Sequence, residues 1–265
     1  MTDGLDLDAY LARIGYQGDL DPTPATLARL HRAHALTIPF ENLDILLGLP
    51  IRLDLASLQA KLVDGRRGGY CFEQNTLFAA VLEHLGFEVT RLAARVRMGV
   101  RTTGARTHMV LRVEIDGERW LADVGFGGDG LLDPLPFDGG DPVRQGSWSY
   151  RLQREDRLFV VRSLATGGWV DLYAFDLQPQ LPVDYEVANH FTSTWPRSPF
   201  VGGLTVQLPG VDERLVIRGA VFSVQRPDGE ERSTISSNEE LVRILAAQFG
   251  LMFPVGTLFL LGDGS

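Results

Sequence analysis

The sequence predicts an α+β protein: helices first, then an antiparallel barrel-like sheet, then a smaller mixed lid. Three observations carry this. Apolar residues recur at helical spacing up to about residue 86, the period changes to two beyond it, and the last part mixes strand, turn and helix-capping signals. At 265 residues the chain is long enough to bury a sizeable core in two or three packed parts.

In the first third, Leu7, Tyr10, Leu11 and Ile14 share a helical face, and Gly15 follows as a stop. Thr23 is an N-cap with Pro24 at the first helical position. Leu27, Leu30, His31 and His34 continue that helix until Pro39 excludes it. A short helix is expected over 55–63, and a longer one over about 71–85. In the longer one Leu77, Phe78, Val81, Leu82 and Leu85 face inward, and Gly86 ends it. Strands are then expected over 89–98, 110–115 and 119–124, the last two joined by Asp116-Gly117, a strong hairpin signal. More follow over 150–152, 158–162 and 169–172, and 184–195 reads as a connecting helix. Finally 215–224 reads as one strand, Pro227-Asp228-Gly229 as a turn and 233–235 as a short return strand. Ser237 with Glu240 forms a capping box that opens a helix to about Phe249. The divisions implied are a helical bundle over 1–86, a barrel over 87–183, a helical link over 184–198 and a lid over 199–265.

A hydrophobic share of 45% with 22% charged residues argues for a globular chain rather than a disordered one. The formal charge of −9 argues against nucleic acid as a partner, since binding it needs basic surface to displace phosphate counterions. One cysteine excludes an intrachain disulfide and suits a reducing compartment, the cytoplasm. The first ten residues are acidic and lack a signal pattern. The longest apolar stretch, 249–261, is broken by Pro254 and two glycines and is too short to span a bilayer, so no membrane partner is expected. The expected state is a monomer or weak homodimer.

The chemistry centres on Arg67-Gly68-Gly69-Tyr70-Cys71-Phe72-Glu73-Gln74-Asn75. The two glycines remove side chains where the backbone is expected to turn sharply. Cys71 then sits in the first turn of a helix, where unpaired N–H groups and the helix dipole favour negative charge. A free thiol ionises near pH ~8.5, and such a site beside an imidazolium favours the thiolate. The same N–H groups could stabilise an oxyanion. A lone cysteine is ordinarily a small buried hydrophobe; a glycine pair before it at a helix start marks a nucleophile.

The nucleophile needs a base. His31 and His34 have a spacing that could hold a metal, but no zinc-site pattern accompanies them, and they are expected to be packing or surface residues. No metal is expected. His84 lies almost four turns along the helix of Cys71, out of reach of the sulfur. His190, in the connecting helix, has no obvious partner. His108 differs. With a two-residue turn at Asp116-Gly117, Asp123 falls opposite Val110, and His108, two places from Val110, shares its face. Such diagonal neighbours are about 7–8 Å apart by backbone, a gap that imidazole and carboxylate side chains can bridge. The pair could equally be a structural hydrogen bond, and sequence alone does not bring Cys71 to His108. If it is met, thiolate, imidazole and orienting carboxylate form an acyl-carrying triad.

Gly125-Phe126-Gly127-Gly128-Asp129-Gly130 has the spacing of a dinucleotide-binding loop and follows a strand. The next six residues contain Pro134 and Pro136 and cannot open the helix such a loop requires, so that reading fails. A glycine loop after Asp123 would still let a bulky ligand approach the hairpin.

Taken together, Ile38-Pro39-Phe40-Glu41-Asn42-Leu43, the segment Arg67 to Asn75, Thr107-His108 and Asp123-Val124-Gly125-Phe126-Gly127 resemble the arylamine N-acetyltransferase family, in order and spacing. The resemblance runs from about Tyr10 towards the C-terminus and is weakest after about Trp195. It implies a helical bundle, a β-barrel and an α/β lid around a cysteine-protease-like core, and a Cys71–His108–Asp123 triad. It places Phe40, Phe72, Phe126 and Phe200 near an acceptor pocket, and Thr107 and Gly127 near the thiol arm of coenzyme A. The implied activity is acetyl transfer from acetyl-coenzyme A to small aromatic amines or hydrazines, by a two-step acetyl-cysteine route used in xenobiotic metabolism. A cysteine hydrolase or an amide synthase would use the same triad but ignore acetyl-coenzyme A. A silent binding protein would carry an ordinary, slow thiol.

Overall fold

Side-chain caps set the first helices. Asp6 accepts the Ala9 N–H and opens α1 (Leu7–Ile14), which ends at Gly15 with φ 66°. Thr23 accepts the Thr26 N–H and opens α2 (Pro24–Thr37). These come from a computed structural model that describes residues 4–99 and 104–259. The chain then leaves the helix for a two-residue strand, β1 (Phe40–Glu41), and a single turn, α3 (Leu43–Leu46). The helix expected over 55–63 is in two pieces: α4 (Leu55–Leu58) and a π-helical turn over Gln59–Asp64. Lys61 leaves that turn to bond Asp44 and Glu73, each at 2.7 Å.

The helix of the cysteine, α5 (Cys71–His84), is buried on nearly every side, as befits a helix in the middle of a core rather than on its surface. Phe72, Leu77, Phe78, Val81 and Leu82 pack with Tyr10, Leu27 and Leu30 of the first two helices and with Met109, Leu111 and Val113 of the sheet.

The sheet comprises β2 (Glu88–Val96), β3 (His108–Ile115), β4 (Glu118–Ala122), β5 (Leu135–Pro136), β6 (Val143–Gln145), β7 (Trp148–Glu155), β8 (Leu158–Ala165) and β9 (Gly168–Pro179). Its order is β5-β4-β3-β2-β9-β8-β7-β6, every pairing is antiparallel, and it curls into a nearly closed barrel. Asp116 and Gly117, with φ 52° and 81°, form the expected hairpin turn and set Ile115 opposite Glu118. Strands β7 to β9 outrun the apolar alternation that marks them. Their charged positions are held by ion pairs: Arg162 Nε lies 2.6 Å from Asp171, and Arg97 reaches Asp171 at 2.8 Å and Glu155 at 3.1 Å. Leu92, Val110, Leu121, Leu132, Tyr150, Val161, Tyr173 and Phe175 fill the interior.

The connecting helix α6 (Pro182–Thr194) leads through α7 (Pro199–Gly202) to β10 (Thr205–Leu208), β11 (Arg214–Arg218), β12 (Val221–Arg226), β13 (Gly229–Thr234) and α8 (Asn238–Phe249). The single strand expected over 215–224 is a hairpin, with Arg218 paired to Val221 across Gly219-Ala220. A two-residue turn preserves the period of two, so alternation alone does not reveal it. The return strand expected at 233–235 instead spans Gly229–Thr234. It is an exposed edge rich in charge, which leaves no apolar period to read. Ser237 caps α8 as expected, and Gly250 closes it with φ 66°. The end of the apolar stretch, 260–261, lies outside the described residues. No helix of the described residues is long and apolar enough to cross a membrane.

One connection crosses the expected divisions. The second sheet has the order β1-β10-β11-β12-β13, so Phe40 and Glu41 from the first third pair with Gln207 and Val206 near the end of the chain. Leu43 joins the core of that sheet, with Leu204, Val206, Ile217, Leu241 and Leu245.

Candidate active site

The glycine pair before the cysteine is required by close approach rather than by a turn. A Cβ on Gly68 would lie 2.1 Å from the Pro39 carbonyl oxygen. The Gly69 N–H donates to that carbonyl at 3.2 Å, and the Glu41 N–H donates to the Gly69 carbonyl at 3.1 Å. The sharp turn falls earlier, at Arg66 with φ 51°. The start of α5 is then fastened by charge. The Glu73 carboxylate accepts the Tyr70 N–H at 2.9 Å and holds Lys61, while Arg67 bonds Glu41 at 2.7 Å and Asp44 at 2.8 Å.

Cys71, in the first turn, is 3% exposed, and its thiol donates to the Thr107 carbonyl at 3.5 Å. The β3–β4 ladder ends at Leu111 and Ala122, leaving His108 and Asp123 at its open end. His108 Nε2 lies 2.8 Å from an Asp123 carboxylate oxygen. His108 and Cys71 line the same cavity, and with Nε2 engaged by Asp123, Nδ1 is the ring nitrogen without a carboxylate partner. Burial opposes charge on His108, but the Asp123 carboxylate and then Cys71 outweigh it and push its pKa up to about 10. Burial would raise Asp123, yet His108, Asn75 and the Gly125 N–H hold it below the usual carboxylate range. The pair is an imidazole hydrogen-bonded to a carboxylate, in the positions the hairpin register predicts.

The surroundings of Asp123 are more elaborate than the sequence suggests. Asn75, one turn beyond Cys71 on α5, donates to Asp123 at 2.9 Å and to the Met109 carbonyl at 2.8 Å, and accepts the Val124 N–H at 3.1 Å. That spacing of four was a readable signal of a shared face. Both His31 and His34 are fully buried: packing residues, not surface ones. His31 accepts the Asp123 backbone N–H at 3.0 Å. His34 accepts from Tyr10 and donates to Gln74, whose amide donates to the carbonyls of Gly69 and Pro39. His190 is exposed.

Cys71, Thr107 and His108 open onto a cavity of about 520 Å³, walled by Phe40, Phe126 and Phe200 and closed by Thr205, Gln207 and Arg218 of the second sheet. Phe72, expected near the acceptor pocket, and Gly127, expected near the thiol arm of coenzyme A, do not themselves line this cavity. Phe72, fully buried, packs its ring against Tyr70 and Tyr185, because the first turn of α5 points it into the helical core. Gly127, with φ 96°, sits behind Phe40 and Gln207: a Cβ there would lie 2.7 Å from the Gln207 amide oxygen. That oxygen accepts the Gly128 N–H at 2.8 Å and ties the glycine loop to β10, a contact with no local sequence signal. No helix follows the loop. Among the described residues no three His, Cys, Asp or Glu side chains cluster as a metal site.

Comparison with known proteins fits this arrangement. The N-acetyltransferase family profile matches residues 23–256. An arylamine N-acetyltransferase from Mycolicibacterium smegmatis is 42% identical over 254 residues, 93% of this chain and 92% of that protein. The crystal structure of the Nocardia farcinica arylamine N-acetyltransferase superposes with a TM-score of 0.90 at 44% identity, covering 96% of this chain and 92% of that one. The Mycobacterium marinum enzyme, solved in complex with CoA, superposes with a TM-score of 0.88 at 38% identity, covering 93% of each chain. With the family profile matched over most of its length and its fold superposing on these proteins across more than nine-tenths of the chain, the protein belongs to the arylamine N-acetyltransferase family.

Proposed function

We propose that this protein transfers an acetyl group from acetyl-coenzyme A to the nitrogen of an aromatic amine or hydrazine, holding it on Cys71 between the two steps. The observation that supports this is a buried Cys71–His108–Asp123 constellation opening onto one phenylalanine-walled cavity. The donor is supported by the CoA complex of the Mycobacterium marinum relative, and the acceptor class by the names of the relatives.

In the first step the Cys71 thiolate attacks the thioester carbonyl. The bond between the carbonyl carbon and the coenzyme A sulfur breaks, and the His108 imidazolium protonates the departing thiolate. Exchange of one thioester for another is nearly balanced in energy, so sulfur suits the relay. In the second step the amine attacks the acetyl-cysteine, Cys71 leaves as thiolate, and the now neutral His108 takes the proton of the amine. The imidazolium is thereby restored. Asp123 keeps the ring oriented and stabilises its charge. The first-turn N–H groups of α5, which lack intrahelical partners, are the donors available to the oxyanion.

Phe40, Phe126 and Phe200 offer flat apolar walls to an aromatic acceptor, which stays uncharged at neutral pH and can attack directly. Thr107 borders the donor's thiol arm. Gly127 serves the course of the loop, and Phe72 the core behind the wall. A lone, functional thiol suits the reducing cytoplasm, and a monomer or weak homodimer is the working form.

Intact mass spectrometry tests the reading. Incubation with acetyl-coenzyme A alone adds the mass of one acetyl group to the protein, an arylamine removes it, and Cys71→Ala takes up none. Arylamine acetylation by Cys71→Ala at near wild-type rate overturns the proposal.

A further inference from the structure

We infer that His31 is a positioning residue for this transfer: a neutral imidazole on α2 that holds the backbone of Asp123 and so sets its carboxylate against His108. The inference rests on the triad reading above. Its geometry is unambiguous about protons. His31 is fully buried, and its Nδ1 lies 3.0 Å from the Leu132 carbonyl, which can only accept. Its Nε2 lies 3.0 Å from the Asp123 backbone nitrogen, which can only donate. The two partners therefore demand one tautomer, with the proton on Nδ1 and a lone pair on Nε2.

The position matters because the β3–β4 ladder runs out at Leu111 and Ala122, one residue short of Asp123. Beyond it, side chains take over the work of the sheet: Asn75 holds the carboxylate and the Val124 N–H, and His31 holds the Asp123 N–H. A protonated His31 would set one N–H against another and push the Asp123 backbone away. The groups facing His31 leave it little reason to charge. Asp123 is committed to His108, Asp133 is paired with Arg32 at 2.8 Å, His34 is tied to Tyr10 and Gln74, and Phe78 meets the ring edge-on. Burial holds His31 below the usual imidazole range.

The test compares wild type with His31→Gln and His31→Leu, reading both arylamine turnover and the pH dependence of Cys71 alkylation by iodoacetamide. A glutamine amide presents an acceptor and a donor as the neutral ring does, so His31→Gln keeps kcat within about threefold of wild type. His31→Leu loses roughly 10²-fold in kcat, the scale of a misplaced catalytic group. It leaves the KM for acetyl-coenzyme A within about twofold. Alkylation of wild type falls in acid with a proton that His31→Gln, which does not titrate there, lacks. Wild-type kcat in His31→Leu overturns the inference. Should that variant fail to fold, the same acid limb in wild type and His31→Gln overturns it. Alkylation needs no acetyl donor, so a protein that ignores acetyl-coenzyme A defeats the proposed function while this comparison still reports on His31.

Discussion

Asp123 makes no contact with solvent, and its carboxylate is satisfied by His108, Asn75 and the Gly125 N–H. A buried carboxylate is tolerable only with such partners, and removing its charge leaves an imidazolium uncompensated. Asp123→Asn keeps the shape and the bond to Asn75 but offers His108 no charge. Turnover is expected to fall on the order of 10³–10⁴-fold while circular dichroism and the thermal midpoint show a folded protein. A variant with more than a tenth of wild-type kcat would remove Asp123 from the mechanism. At this scale the pairing of His108 with Asp123 was legible, because a two-residue hairpin fixes both faces. The roles of His31 and Gln207 were not. Each acts through a backbone N–H more than seventy positions away in the chain, and nothing in the neighbouring residues records such a contact.

Among the elements, the Gly68-Gly69 segment shows a short motif serving tertiary packing. It runs beside β1, which on its other side pairs with β10. Gly68→Ala would place a methyl 2.1 Å from a backbone oxygen that cannot swing aside. We expect a loss of about 3 kcal/mol, as for other overpacked sites, read as a lower urea midpoint; an unchanged midpoint would show that β1 yields easily. The start of α8 offers a milder case. Ser237 accepts the Glu240 N–H at 3.2 Å, so Ser237→Ala is expected to cost about 1 kcal/mol by the same assay, with kcat unchanged because the cap lies outside the cavity. Capped helices and the Asp116-Gly117 hairpin were readable since their signals are local. The β11–β12 hairpin and the edge strand β13 were misread. A two-residue turn does not disturb alternation, and a charged edge has none.

Across the whole molecule, buried histidines make stability depend on pH. Burial lowers His34 to about 3, against about 6.5 in an unfolded chain, and His31 is shifted the same way. Their contribution is fully present above pH ~6.5 and is lost as pH falls toward 3, because the unfolded chain then binds protons the native state refuses. His108, raised to about 10, behaves oppositely: its contribution is complete below pH ~6.5 and is lost as pH rises through 10. Between pH 6.5 and 5 the acid loss from His34 should be roughly 1 kcal/mol per unit, and His34→Gln should flatten it. Urea midpoints that fall equally in both proteins would assign the loss to other groups. Sequence by itself determined the helical and strand periods, the caps, the first hairpin and the facing of His108 towards Asp123, because each depends on residues close together in the chain. Only the tertiary structure decided that Cys71 and His108 line one cavity, that β1 joins the closing sheet, that Phe72 turns into the core and that His31 holds Asp123. Those contacts join segments far apart in the chain, and they form when buried surfaces pack together, a condition that no local pattern encodes.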